Sequence, residues 1–167
     1  MKRIVCIVLL LTTVLIARSC TKQNLALKEP VNFYYKARHI QYDDAENVIT
    51  SEQWDSFGHT EDYKYLMEQY LDGPRSAKCI SPFPTGTSVE QLNLLKNKVV
   101  IVVSSHLSHL SGYELTIACT CLAKTAAEIT GVEKVQILSQ DSLLNGQESI
   151  TLDTKDLVFK DVYIPQD

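Results

Sequence analysis

The chain has 167 residues, enough for one domain and short for two. Its composition is that of a globular protein, 45% hydrophobic and 22% charged with six glycines and five prolines, and it shows no internal repeat. The first 19 residues hold Lys2, Arg3 and Arg18 and no acid, so without them the 16 basic residues become 13 against 20 acidic and the net charge moves from −4 to −7. A domain this acidic, without a Lys/Arg cluster, argues against binding to nucleic acid and to anionic membrane surfaces.

Met1-Lys2-Arg3 is a short basic head, followed by a 13-residue apolar run from Ile4 to Ile16. Spanning a bilayer takes about 20 apolar residues, so the run reads as a secretory signal peptide over residues 1–19. Its end, Ile16-Ala17-Arg18-Ser19-Cys20, admits two readings. The small residue before Cys20 resembles a bacterial lipobox, which would make Cys20 a lipidated N-terminus, although Arg18 stands where a small or apolar residue is usual. Ala17 and Ser19 also fit ordinary cleavage after Ser19, which would leave Cys20 a plain thiol. The lipoprotein reading is preferred, because a cysteine at the boundary is otherwise a coincidence. An uncleaved anchor is a third reading, and all three place the domain outside the cytoplasm, on the cell membrane or secreted.

Residues 20–30 are polar and aperiodic, as a tether would be. A domain is expected over 31–162. Val31, Phe33 and Tyr35 recur at the two-residue period of a strand. Asp43-Asp44 marks a turn, Asn47-Val48-Ile49-Thr50 a short strand, and Ser51 to His59 reads as loop. A helix follows, opened by Thr60 as cap with Glu61 and Asp62 at its positive end. Tyr63, Leu66, Met67, Tyr70 and Leu71 form its apolar stripe, and Gly73-Pro74 stops it. Arg75 to Phe83 is expected as loop, and Gly86 in Pro84-Thr85-Gly86-Thr87 supplies a turn.

Ser88 to Leu95 and Lys98 to Ser105 predict a hairpin across Lys96-Asn97, with Asn97 tolerating positive φ. Ser111 and Glu114 have the spacing of a capping box, opening a second helix whose stripe is Leu115, Cys119, Leu122, Ala126 and Ile129. Cys121 lies on its flank beside Ile117, and Gly131 ends it. A strand around Val135 and Ile137, a turn at Asn145-Gly146 and short closing strands at Ser149–Leu152 and Leu157–Phe159 complete the chain. The order predicts an α+β fold, a small mixed or antiparallel sheet with two helices packed on one face.

The ordered set Leu71-x-Gly73-Pro74, Pro84-x-Gly86-Thr87, hairpin, long helix and Gly131-Val132-x-x-Val135 resembles the GerM (GerMN) domain family, named for sporulation and spore germination. The resemblance covers Val31 to Asp161 and is sharpest from Leu66 to Leu138. It implies a secreted or lipid-anchored, non-catalytic interaction module of a bacterial envelope with protein partners, and related ring-building domains imply a capacity for homo-oligomers. One departure stands out. The family's return strand alternates apolar with polar, whereas Val99 to Val103 are all apolar. Alignment would turn Val99, Ile101 and Val103 to the helices, leaving Val100 and Val102 on the other face as a candidate partner surface.

No catalytic, cofactor or metal site emerges. His106 and His109 alone make an incomplete zinc set; Cys119 and Cys121 from the next helix could complete it, but the loop reading is preferred. Ser104, Ser105 and His106 lack a nucleophile elbow, and adjacent strand-end residues point apart. Cys79 has no visible activating partner and could instead bond Cys119 or Cys121, with buried free thiols the plainer reading. Asp43, Asp44 and Glu46 read as turn acids rather than glycosidase carboxylates. The competing readings are a small secreted cell-wall hydrolase and a module binding peptidoglycan or a small ligand.

Overall fold

The computed structural model describes residues 30–38, 48–56, 58–59 and 61–157. Strands β1 (Val31–Ala37), β2 (Ile49–Trp54) and β3 (Cys79–Ile80) form one antiparallel sheet in the order β2-β1-β3. Strands β4 (Val89–Leu94), β5 (Val99–Val103), β6 (Lys134–Ser139) and β7 (Ile150–Asp153) form a second sheet in that order. The β5–β6 pair is parallel and its neighbours antiparallel, so this sheet is mixed. Helices α1 (Tyr63–Leu71) and α2 (Gly112–Thr130) complete the α+β fold. The element order already implied that class; the division of the strands into two sheets it did not.

The inner face of the four-stranded sheet carries the core. Val99, Ile101 and Val103 are fully buried with Leu66, Met67 and Tyr70 of α1 and with Leu115, Leu122 and Ile129 of α2. On β1, Val31, Phe33 and Tyr35 are buried as their two-residue period requires. Phe33 stacks on Trp54 with ring centroids 5.2 Å apart and meets the edge of Tyr70. The Tyr70 hydroxyl donates to the Tyr34 carbonyl at 2.7 Å, and the Tyr35 hydroxyl donates to the Tyr70 carbonyl at 2.9 Å. These two bonds lock α1 to β1. Cys119 joins the main core, whereas Ile117 and Cys121 pack with Val48 and Ile49 in a second cluster on the helix's flank.

Several local expectations change. Ser51 to Trp54 is strand rather than loop, paired with β1 through Trp54 opposite Val31 and Glu52 opposite Phe33. Its polar sequence hides a buried Glu52, whose two carboxylate oxygens accept from the backbone N–H groups of Arg75 at 3.1 Å and Ser76 at 2.8 Å. Those bonds fold the Arg75–Phe83 segment inward, where Cys79 and Ile80 pair with β1 instead of remaining loop. Asp62, not Thr60, caps α1, its Oδ1 accepting from the Tyr65 N–H at 3.0 Å; Thr60 itself lies outside the described residues. Gly73, at φ +106°, ends the helix in the left-handed region.

Ser111 flanks α2 without a side-chain cap, and Glu114 reaches Lys36 at 3.3 Å, so the capping box does not form. The β4–β5 turn spans Lys96-Asn97, with the Leu95 N–H donating to the Lys98 carbonyl at 2.9 Å. Among the described residues, positive φ outside glycine falls on Asp141 and Asn145 rather than on Asn97. At Asn145-Gly146 both residues have positive φ, and Leu144 and Gln147 exchange both backbone bonds, as this dipeptide prefers. Leu157 has no regular structure. The expected closing strand beyond it, the Asp43-Asp44 turn and Glu46 lie outside the described residues.

Candidate functional site

The strand β5 has two unlike faces. Val99, Ile101 and Val103 are turned to the helices, and the alternate residues Val100 and Val102 lie on the outer face, partly buried. Their cross-strand neighbours there are Asn93 and Gln91 on β4 and Gln136 and Leu138 on β6. Val100, Val102 and Leu138 form a small apolar centre. A polar line borders it, with the Lys98 ammonium donating to Gln136 Oε1 at 2.7 Å and Gln136 Nε2 donating to Ser149 Oγ at 3.0 Å. Both helices share the core of the opposite face. The arrangement is a small apolar patch framed by uncharged amides and one lysine, without converging acids, suited to contact rather than bond-making.

At the C-terminal ends of β5 and β6 the Pro84–Thr87 turn folds against the sheet. The Thr87 hydroxyl donates to the Pro84 carbonyl at 2.8 Å, and the Ser88 N–H donates to Ser104 Oγ at 3.1 Å. Gly86 sits so close to His106 that a Cβ there would stand 3.2 Å from Nε2, at φ +88°. Ser104 Oγ and His106 Nδ1 are 3.3 Å apart, a proximity the expectation of diverging strand-end residues missed. Ser104 is the cap residue at which the chain leaves β5 for the 3-10 turn Ser105–His109, and that change of direction brings His106 back beside it. The Ser104 hydroxyl is already engaged by Ser88 and by the Gly86 carbonyl at 3.4 Å, so the pair secures the turn.

The remaining sequence candidates separate. The His106 and His109 rings stand 6.0 Å apart, and among the described residues no group of three His, Cys, Asp or Glu side chains gathers. Cys79, Cys119 and Cys121 are buried thiols, not joined in a disulfide. Burial pushes the Cys119 thiol up to about 12 and also raises Cys79, the reverse of what a nucleophilic thiolate needs. The Asp43/Asp44/Glu46 set and Cys20 lie outside the described residues.

Glu52 is the residue that sequence reasoning passed over. A lone acid two positions before a tryptophan carries no pattern, and only the alternation Thr50, Glu52, Trp54 could have placed it on a buried face.

Fold and surface together define an α+β module with a small apolar patch on its outer sheet face. The family profile described as sporulation and spore germination, Germane, matches residues 32–145, and the chain belongs to that family. No curated protein matches the chain. Among solved structures it is similar to the tandem GerMN domains of the sporulation protein GerM from Bacillus subtilis, with 14% identity and a TM-score of 0.54 over 75% of this chain. It spans 45% of that tandem chain, so the likeness is one of fold. A candidate lipoprotein from Clostridium perfringens aligns at 16% identity and a TM-score of 0.49, over 76% of this chain and 89% of its own.

Proposed function

We propose that this chain is an extracytoplasmic, non-catalytic interaction module, held at a bacterial membrane by a lipid on Cys20. Its outer sheet face, centred on Val100 and Val102, binds an envelope protein. The observation that carries this reading is the apolar outer side of β5, partly exposed and opposite the face that holds both helices. Family membership supports a place in sporulation or germination. The signal-like N-terminus and Cys20 support export and anchoring.

The test is a photo-crosslinking amino acid at position 102 of the full chain in the native envelope, with position 143 as control. A protein adduct specific to position 102 is expected, and an adduct of twice the chain's mass would make the partner a second copy. Recovery of lipid and monomer alone, or identical adducts from both positions, sinks the reading.

A further inference from the structure

We infer that the β4–β5 hairpin tip, Leu94-Leu95-Lys96-Asn97-Lys98, is a membrane-contact site that sets the domain down on an anionic lipid bilayer, a local contact made in spite of the acidic net charge that argued against such surfaces. The inference rests on the anchoring proposed above and adds an orientation. Leu94 and Leu95 are 45% and 46% exposed, adjacent in sequence and at the very end of the sheet. Single exposed leucines are ordinary on protein surfaces. Two together, followed by Lys96 and Lys98, have the composition of a tip that buries apolar side chains at the acyl boundary while its ammonium groups meet lipid phosphates. Lys96 makes no ion pair among the described residues, and Lys98 is held by a neutral amide, Gln136. The acids at this end are only partly offset: Glu133 meets Lys155 at 2.6 Å, Asp153 faces Lys134 in the ladder, Asp156 shares Lys155, and Glu128 accepts from Asn32.

A second observation, independent of composition, is where the tether joins. Strand β1 runs antiparallel to α2, with Asn32 bonded to Glu128 near the helix C-terminus and Lys36 to Glu114 near its start. The C-terminus of α2 leads into β6, whose Val135 pairs with Val99, and Val99 pairs with Leu94. Val31, where the tether of residues 20–30 enters the domain, therefore lies at the same end as the leucine tip. Fully extended, such a tether reaches at most roughly 40 Å, so a lipid on Cys20 favours this end without enforcing it, and the leucine tip itself supplies the orientation. The opposite end carries Leu143, 54% exposed, beyond the start of α2. With 19 residues in α2, the two ends are separated by about 28 Å.

The test uses the full chain in vesicles containing phosphatidylglycerol and a quencher-bearing lipid, with an environment-sensitive fluorophore on Leu95→Cys or, separately, on Leu143→Cys. Cys79, Cys119 and Cys121 are buried and stay unlabelled in the folded chain. Lys96→Cys serves as a second tip position should Leu95→Cys perturb folding. The expected result is strong quenching at the tip and little at position 143, with Lys96→Glu weakening tip contact roughly fivefold.

Three outcomes overturn the inference. Vesicle-bound protein whose tip label stays unquenched removes the membrane-contact site and leaves the anchor standing. A tip label that is shielded from water but indifferent to the lipid quencher assigns the tip to a protein instead. A wild-type chain that does not float with vesicles at all removes the anchor and the contact together.

Discussion

Replacing Val100 with Lys and Val102 with Glu separates an interaction face from concealed core. Fully burying a valine contributes about 1.5–3 kcal/mol relative to leaving it exposed. Both valines are mostly but not fully buried, so the double change should cost about 2–5 kcal/mol in all, with the new exposed ion pair returning well under about 1 kcal/mol. The internal standard is Ile101→Ala on the inner face of the same strand. Ile101 is fully buried, and that truncation should cost about 2–5 kcal/mol by itself. Urea unfolding followed by the fluorescence of Trp54, the sole tryptophan, reports both changes, since its ring is buried against Phe33. The double variant should fold, unfold at a midpoint no lower than Ile101→Ala, and lose the adduct expected at position 102. A double variant that fails to fold, or falls well below Ile101→Ala, would show that Val100 and Val102 are covered core and refute the surface reading.

Glu52→Gln replaces one of two acceptors for the Arg75 and Ser76 amides with a donor, and should cost about 1.5–3 kcal/mol, with faster hydrogen exchange at those two amides. Tyr70→Phe leaves the Tyr34 carbonyl without its 2.7 Å partner and should lower stability by about 1–3 kcal/mol in the same urea assay. The Cys119 thiol, raised from 9.0 to about 12, favours the protonated form in the folded state. Its contribution is therefore complete below pH 9.0 and is lost as pH rises towards about 12. Between about pH 8 and about pH 10 the wild type should lose roughly 1.4 kcal/mol more than Cys119→Ala; an equal loss in both would contradict that assignment. Gly86→Ala should cost about 1–2 kcal/mol from its positive φ alone, with a shifted His106 ring resonance as the local sign.

Much of the architecture was legible from short-range pattern. The two-residue alternation of β1, the apolar stripe of α1, the Gly73-Pro74 and Gly131 stops and the Asn145-Gly146 turn each depend on neighbours a few positions apart, and each stands in the structure. Local reading failed where a distant partner decides the outcome. Ser51–Trp54 is strand because β1 pairs with it, and Glu52 is buried because two amides more than twenty positions later satisfy it. The capping box dissolved because Glu114 lies within reach of Lys36 from another element. Such contacts leave no trace in a window of a few residues.

The candidate surface divides the same way. The unbroken apolar run Val99 to Val103 is visible in the sequence, and strand periodicity alone puts Val100 and Val102 together on one side. Only the tertiary structure decided which side holds the helices, that β5 runs parallel to β6, and that Leu94 and Leu95 share an end of the domain with Val31. The physical reason is that backbone sterics and side-chain period act over one or two turns of chain. Sheet pairing and helix docking are settled by the burial of surfaces from segments that meet only once the whole domain has formed.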